Sequence, residues 1–225
     1  MPQLSVIIPA LNEGGHIAET LKDLSPVRAA GHEVIVVDGG SSDNTVQQAN
    51  GYADLVVAGP KGRARQMNAG ADKAHGDVLW FLHADTRVPD EAVQQLIAAV
   101  DAGKLWGRFD VRLSGSHIMF RLIERMMNLR SCLTGIATGD QGIFVNRALF
   151  ESVGFYPDIA LMEDVALSKA LKKNDRPVCL RARLITSSRK WEQHGIVKTI
   201  FLMWRLRLAY ALGADPDELA RRYYS

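Results

Sequence analysis

The sequence predicts an α/β protein with a mostly parallel central sheet, flanked by helices and followed by a helical C-terminal extension. Apolar runs of strand length alternate with segments of helical spacing through the first half of the chain. The run Val34-Ile35-Val36-Val37 is apolar without a break, which is typical of a strand buried on both faces. Strands that alternate with helices in this way form parallel sheets, because each helix carries the chain back across the sheet.

The individual elements follow from these patterns in chain order. Six segments have the length and composition of strands: residues 4–10, 33–37, 55–58, 78–82, 106–113 and 141–145. Seven segments have the spacing of helices: residues 16–24, 43–51, 62–75, 90–101, 117–130, 165–173 and 196–212. The helix at 117–130 has a polar stripe opposite an apolar one. The last segment, 196–212, is unusually apolar all round.

The bulk composition is that of an ordinary globular protein. The chain has 225 residues, 47% of them hydrophobic and 23% charged, and a formal net charge of +2. This length suits one large core, so we predict a single domain over residues 1–225. The basic residues are scattered along the chain, which argues against a nucleic-acid partner.

The start of the chain and its cysteines favour a cytoplasmic protein. The first strand begins without a charged leader or a cleavage site, and no apolar run reaches the roughly 18 residues that a membrane span needs. Cys132 and Cys179 have no CxxC partner and no neighbouring histidines. We therefore expect reduced thiols, without a zinc site or a disulfide.

Polar side chains follow the predicted strands where each one ends. Pro9-Ala10-Leu11-Asn12-Glu13 follows the first strand, Asp38 to Asp43 the second, and His83-Ala84-Asp85-Thr86 the fourth. Ligands of open parallel sheets bind at the carboxyl ends of strands. Three acid-bearing loops at that edge predict a crevice for a divalent cation and a hydroxyl-rich ligand. The alternative is ordinary loop polarity, with Ser42 or Asp43 capping the next helix.

Blocks of sequence in a fixed order resemble family-2 glycosyltransferases over roughly residues 4–175. They are SVIIPALNE at 5–13, EVIVVDGGSSDNT at 33–45, GRARQMNAGA at 62–71, GDVLWFLHADT at 76–86, GDQG at 139–142 and MED at 162–164. The resemblance implies a GT-A (Rossmann-like) fold that transfers a sugar from a nucleotide diphosphate, with UDP favoured, to an unidentified hydroxyl or phosphate acceptor. This acceptor is a small molecule or lipid-linked. The chain is also similar to a short bacterial subgroup associated with arsenosugar biosynthesis, through residues 81–86 and Arg189-Lys190-Trp191.

The same resemblance implies which parts of the chain bind the donor and which bind the acceptor. Residues 1–110 would form the nucleotide-sugar-binding half, 111–195 the acceptor-side half and 196–225 an apolar helical segment. Asp85 would contact Mn²⁺ or Mg²⁺, with His194 as a further metal contact. Asp164, beside Glu163, would be the general base of a single displacement that inverts the anomeric carbon. The residues implied to bind the nucleotide-sugar are Pro9, Asn12, Glu13, Asp38, Arg63, Arg65, Asn68, His83, Asp85 and Trp191.

Two positions depart from the family pattern. His83 stands where an acid is usual, and Gly39 stands where many members carry a second acid. A catalytically silent nucleotide-sugar-binding module is therefore an alternative. A nucleotidyltransferase is disfavoured, because the loop after the first strand is acidic and has no glycine before Gly14.

Residues 196–212 leave three alternatives open. They could pack on the catalytic domain, form a homodimer seam, or lie peripherally on the inner membrane with their basic groups toward lipid phosphates. Packing or dimerisation is the preferred interpretation. If the acceptor is a polyprenyl phosphate, we expect its tail along 117–130 and 196–212.

Overall fold

The computed structural model describes residues 2–224, apart from the side chains of Lys190 and Tyr224, and contains a seven-stranded sheet flanked by helices. The strands are β1 Leu4–Ala10, β2 Glu33–Asp38, β3 Leu55–Ala58, β4 Val78–Phe81, β5 Trp106–Leu113, β6 Phe144–Asn146 and β7 Val178–Thr186. The helices are α1 Ile17–Asp23, α2 Ser25–Ala29, α3 Thr45–Asn50, α4 Arg63–Lys73, α5 Glu91–Asp101, α6 Ile118–Thr134, α7 Arg147–Ser152, α8 Glu163–Leu171, α9 Arg189–His194, α10 Ile196–Ala211 and α11 Pro216–Tyr224. The predicted fold class is confirmed.

The strand order is β3-β2-β1-β4-β6-β5-β7. The first four strands of the chain are mutually parallel, and β5 is parallel to β7, whereas β6 runs antiparallel to both β4 and β5. In the register, Val6 of β1 lies opposite Val34 of β2 and Trp80 of β4. The carboxyl ends of β1, β2 and β4 therefore meet at one edge, and the acid-bearing loops leave the sheet there.

The core lies on both faces of this sheet. One apolar cluster includes Val6, Val34 and Trp80, and the other includes Ile7 and Ile35, as the alternation of side chains along a strand requires. Each such buried side chain contributes roughly 1.5–3 kcal/mol of hydrophobic stabilisation. The two-sided burial explains why the central strands read as continuous apolar runs.

Helix α4 packs unusually close to the sheet because Gly70 faces it. A Cβ atom at this position would lie 2.5 Å from Ile7 Cγ2 and 3.0 Å from Val37 Cγ2. The absence of a side chain lets the helix rest directly on β1 and β2. The first turn of α4, which begins at Arg63, is thereby held beside the loops that follow those strands.

Several element predictions were incomplete or shifted. The strand β7 was not predicted, nor were the short helices α2, α7, α9 and α11. The predicted strand at 141–145 starts instead at Phe144, because Gln141 ends a 3₁₀ turn in which its side chain bonds back to Thr138 and to Ser131 Oγ. The helix predicted at 165–173 begins two residues earlier, at Glu163.

The cysteine prediction was wrong. Cys132, near the end of α6, and Cys179, in β7, face each other with a Cα–Cα distance of 6.0 Å and form a disulfide. They are 47 residues apart in sequence. The contact arises only when α6 packs beside the edge strand β7, which the sequence pattern did not reveal.

Helices α6 and α10 pack against each other and leave apolar surface uncovered. Met127 of α6 shares a cluster with Ile196 and Ile200 of α10. The α10 side chains Leu202, Met203 and Leu206 pack with α8 and α11 in a separate cluster. Among residues 2–224, no helix is both long and apolar enough to cross a membrane.

Candidate functional site

Two cavities meet at the carboxyl edge of the sheet. The larger, which we call the groove, has a volume of about 820 Å³ and runs from the loop after β1 to the first turn of α4. The smaller, which we call the second cavity, has a volume of about 310 Å³ and extends from the same edge to α6 and α10. Four residues line both cavities and so mark their junction: Arg63, His83, Asp85 and Glu163.

The loops after β1 and β2 are fastened to each other. Asn12 has a φ of 55°, and its Oδ1 accepts a hydrogen bond from the Ser42 backbone N–H at 2.9 Å. Asp38 is buried, and its carboxylate accepts hydrogen bonds from the backbone N–H groups of Gly40 and Ser41. Both side chains therefore hold the shape of these loops, and neither lines the groove or the second cavity.

Gln66 is a structural residue of this edge that sequence reasoning missed. Its buried Nε2 donates to the carbonyls of Ala10 and Val37, both at 2.8 Å, and so ties the ends of β1 and β2 together. A Cβ atom at Gly39 would lie 3.0 Å from the Gln66 side chain. The glycine that departs from the family pattern thus makes room for Gln66.

The predicted basic and amide residues of α4 have different partners. Arg63 Nη1 lies 3.5 Å from Glu163 Oε1 at the junction, whereas Arg65 Nε donates to Asp158 Oδ1 at 2.6 Å on the groove wall. The Asn68 amide is committed to the backbone of Tyr156, donating to its carbonyl and accepting from its N–H. Asn68 lines neither cavity.

His83 presents an unusual buried nitrogen to the junction. Its Nε2 is buried and has no hydrogen-bond partner among the described residues, and a Cβ atom at Gly139 would lie 2.7 Å from it. Burial and the nearby Arg63 lower the pKa of His83 to about 4, against a smaller opposing effect of Asp85. The imidazole is therefore neutral near pH 7, and Nε2 is available to a ligand as a donor or an acceptor.

Asp85 and Glu13 share one cation from the chain itself. Arg189 Nη2, on α9, lies 3.2 Å from Asp85 Oδ2 and 3.5 Å from Glu13 Oε2. Burial and the Asp85 charge raise the pKa of Glu13, and Arg189 opposes them. Two carboxylates and a guanidinium thus occupy the position where the sequence predicted a divalent cation, and sequence reasoning gave Arg189 no such role.

The residues at this point fit a cation that relies on substrate for part of its coordination. Among the described residues no cluster of three or more His, Cys, Asp or Glu side chains could hold a metal ion alone. Asp85 offers a hard oxygen ligand, and His83 offers a neutral ring nitrogen without a partner. Mg²⁺ and related ions often bind through one or two protein groups, with phosphates and water completing the shell.

Glu163 and Asp164 open helix α8 at the junction. Asp164 lines the second cavity, and its Oδ2 accepts from the Gly139 backbone N–H at 2.9 Å while its Oδ1 accepts from the Val165 N–H at 2.7 Å. Glu163 is buried, with 4% of its surface exposed. Burial and the Asp164 charge raise the pKa of the Glu163 carboxyl to about 7, against the opposing effect of Arg63.

We expect Glu163→Gln to stabilise the protein in a pH-dependent way. The folded pKa of about 7 lies above the ordinary value of 4.5, so both states are protonated below pH 4.5 and ionisation costs the folded state nothing there. The penalty grows from pH 4.5 to about 7 and is complete above it. Urea unfolding should show Glu163→Gln more stable than wild type by roughly 1–3 kcal/mol at about pH 8.5, and a much smaller gain at about pH 4.5. A gain independent of pH would contradict this account.

The two predicted residues near the C-terminus lie in different surroundings. Trp191 lines the second cavity and packs beside Leu113 and Phe120. His194 is exposed at the end of α9 and lines neither cavity. The structure therefore brings Trp191 to the site and leaves His194 outside it.

A family model for glycosyl transferase family 2 matches residues 5–154 of this sequence. The chain belongs to glycosyl transferase family 2. The matched region contains the groove-lining loops after β1 and β4 and the whole of α4, whereas the groove residues Asp158, Glu163 and Asp217 lie outside it.

Relatives of this chain are named as glycosyltransferases. This family-2 chain is 27% identical to "Probable glycosyltransferase YdaM" of Bacillus subtilis (strain 168), covering 95% of this chain and 55% of the relative. It is 36% identical to "Uncharacterized glycosyltransferase Rv1514c" of Mycobacterium tuberculosis (strain ATCC 25618 / H37Rv), covering 69% of this chain and 63% of the relative. The chain thus spans between about half and two thirds of the length of these curated relatives.

Solved structures share the fold of this family-2 chain. S. aureus TarS 1-349 in complex with UDP-GlcNAc superposes with a TM-score of 0.66 at 21% identity, covering 82% of this chain and 58% of that one. Glucosyl-3-phosphoglycerate synthase from Mycobacterium tuberculosis, in complex with Mn²⁺, UDP and glucosyl-3-phosphoglycerate, superposes with a TM-score of 0.63 at 20% identity, covering 82% and 71%. At this level of identity the likeness establishes the GT-A-type fold alone.

Proposed function

We propose that the protein is an inverting glycosyltransferase that moves a sugar from UDP-sugar to an acceptor hydroxyl. The observation that carries this proposal is the junction of the two cavities at Arg63, His83, Asp85 and Glu163. A donor in the groove and an acceptor in the second cavity would meet there. Residues 1–110 then supply most of the donor groove, and the acceptor cavity takes residues from 111–195 and from α10, within one domain.

The groove supplies what a nucleotide diphosphate needs. Pro9 and Glu13 line its β1 side, and Arg63 and Arg65 line its α4 side. Guanidinium groups pair well with phosphate oxygens, so binding of a diphosphate would draw these arginines away from Glu163 and Asp158. Support for UDP comes from the structural neighbours, which bind UDP or UDP-GlcNAc.

We further propose that Asp85, with His83, holds Mn²⁺ or Mg²⁺ against the diphosphate. A bound ion of this kind would neutralise the charge that develops on the leaving diphosphate. Arg189 would then release Asp85 and move toward the phosphates. The complex of glucosyl-3-phosphoglycerate synthase with Mn²⁺ and UDP supports this part of the proposal.

Asp164 is the proposed general base. Asp164 lines the second cavity but not the groove, whereas Glu163 lines both cavities and pairs with Arg63. Asp164 takes the acceptor's hydroxyl proton as the oxygen attacks the anomeric carbon from the face opposite the diphosphate. A single displacement of this kind inverts the configuration. The cytoplasmic location, the peripheral membrane contact and the likeness to the arsenosugar-associated subgroup stay predictions.

Calorimetric titration of UDP, GDP and CDP, each with and without Mn²⁺, tests the donor site. We expect UDP to bind with metal present and to bind at least about ten-fold more weakly without it, because Asp85 would hold the ion and the ion would offset the charge of the diphosphate. Release of UDP from a UDP-sugar by slow hydrolysis would separate an enzyme from a silent binding module. Failure of all three nucleotides to bind with Mn²⁺ would overturn the proposal.

A further inference from the structure

The second cavity contains a buried cation that the proposed chemistry does not use. Arg130, on α6, points its Nε and one Nη into buried surroundings, and these atoms have no hydrogen-bond partner among the described residues. No ion pair of the described residues joins Arg130 to an acid, although the charges of Asp140 and Asp164 act on it. Arg207, on α10, lines the same cavity.

The charge on Arg130 persists at neutral pH. Burial and repulsion from Arg207 lower its pKa to about 10, which still leaves the guanidinium protonated. Burial raises the pKa of Asp140, against the opposing charges of Arg130 and Arg207. Two neighbouring guanidinium groups with free donors are the chemistry that recognises phosphate.

The cavity is apolar where it approaches α6 and α10. Met127, Ile200, Met203 and Trp204 line that end, and 60% of the Trp204 side chain is exposed. Trp204 therefore belongs both to the cavity wall and to the outer surface. A ligand with a charged head at Arg130 and an apolar chain could leave the cavity along this side.

Outside the cavity, α6 carries a stripe of exposed apolar side chains. These are Ile118, Leu122, Met126, Leu129 and Leu133, each between 49% and 78% exposed. Their spacing places them on one face of the helix.

A second stripe runs along α10, which packs on α6. It consists of Val197, Phe201, Trp204, Leu208 and Leu212, each between 60% and 80% exposed. Ten large apolar side chains on two adjoining helices form a patch that a soluble monomer rarely leaves uncovered. We call these two stripes together the apolar face.

The exposed charges on the two helices that carry the apolar face are all basic. Both helices are described throughout, and their exposed charged residues are Arg125, Lys198 and Arg205. The one acid in the two helices, Glu124, is buried and lies 2.9 Å from Arg121. A second copy of the chain would set these like charges against each other across a two-fold axis, whereas an anionic lipid surface would attract them.

We propose that the apolar face binds an anionic membrane surface and that the second cavity takes the head of a phospholipid acceptor bearing a free hydroxyl beside its phosphate. Arg130 and Arg207 hold the phosphate, and the acyl chains leave past Trp204. The choice of Asp164 as base rests on the proposed glycosyl transfer. The lipid hydroxyl oxygen bonds to the anomeric carbon as the carbon–diphosphate bond breaks. The hydroxyl proton passes to Asp164, and the electron pair leaves on UDP.

Co-sedimentation with vesicles tests the surface without any donor. We expect at least about ten-fold more protein bound to phosphatidylglycerol vesicles than to phosphatidylcholine vesicles at low salt, because basic side chains and apolar burial act together. Phe201→Glu should abolish the binding. Leu105→Glu is the matched control, since it changes an exposed leucine outside the two helices, and it should bind like wild type. Equal binding of the protein to both kinds of vesicle would contradict the proposal that the apolar face binds anionic membranes. Loss of vesicle binding in Leu105→Glu as well would contradict it too.

Transfer from radiolabelled UDP-sugar tests the acceptor. We expect the wild-type protein to transfer label to phosphatidylglycerol. The Arg130→Met variant should transfer at least about ten-fold less label, and its affinity for UDP should be unchanged. If wild type and Phe201→Glu transferred sugar equally well to free glycerol phosphate, the acceptor would be a soluble molecule and the proposal of a phospholipid acceptor would be wrong. If the Asp164→Asn variant still transferred sugar to undecaprenyl phosphate, the proposal that the acceptor group is a hydroxyl would be wrong. If the wild-type protein did not bind UDP, the proposed donor site would be wrong. The vesicle experiment would still test the apolar face, because it uses no donor.

Discussion

Asp164→Asn should reduce glycosyl transfer by about 10³-fold while leaving UDP affinity within roughly two-fold of wild type. Asparagine keeps the size of the side chain, and its single oxygen can still accept a hydrogen bond from the Gly139 N–H or from the Val165 N–H, but not from both. It cannot accept a proton from the acceptor. The loss should therefore appear in kcat, measured as UDP release with saturating donor and acceptor.

Glu163→Gln is the control for this assignment, because the two acids are adjacent and both line the second cavity. If Asp164 is the base, Glu163→Gln should retain more activity than Asp164→Asn, and its pH profile should lose the inflection near the Glu163 pKa of about 7. A larger loss in Glu163→Gln would transfer the role to Glu163. Parallel loss of activity and UDP binding in Asp164→Asn would point to a structural role for the helix start.

The strands β1, β2 and β4, which position the site, were predictable because solvent is excluded from both of their faces. The bounds of β1, β3 and β5 in the structure are those predicted, and β2 and β4 differ by one residue at one end. Continuous apolar runs leave little choice of secondary structure at such lengths. The strand β7 escaped prediction because its exposed arginines, Arg181 and Arg183, interrupt the apolar run at the sheet edge.

The site was predictable in its acids and in the arginines of α4, and not in its other two cations. Asp85, Glu163 and Asp164 follow strand ends or open a helix, so local position in sequence reveals them. Arg130 and Arg189 reach the site from helices that pack against the sheet from outside, and nothing local marks them. Asn12, Asp38 and Asn68 illustrate the converse: they occupy motif positions, yet their hydrogen bonds in the structure hold the loops and the α4 flank.

Asp85→Asn should abolish the metal dependence of UDP binding. In the structure Asp85 is paired with Arg189, so the aspartate has two candidate partners, the guanidinium and a divalent cation. Asparagine is neutral, so it cannot pair its charge with either of them. We expect UDP affinity in Mn²⁺ to fall by about 10²-fold to the value seen without metal, and transfer to fall by about 10³-fold, since the leaving diphosphate loses its counter-charge. Asp101→Asn, an exposed aspartate at the end of α5, should behave like wild type in both measurements.

Arg189→Gln separates the two partners of Asp85. Removing the guanidinium frees Asp85 and Glu13, so Mn²⁺ should bind the nucleotide-free protein several-fold more tightly, as measured by the electron paramagnetic resonance signal of free Mn²⁺. The same variant should release UDP faster if Arg189 moves to the phosphates after the ion displaces it. If UDP binds wild type equally well with and without Mn²⁺, and Arg189→Gln weakens that binding, then Arg189 itself is the cation of this site. Charge neutralisation at the diphosphate would in that case come from the chain, and the histidine at position 83 would have replaced an acid because no metal needs one there.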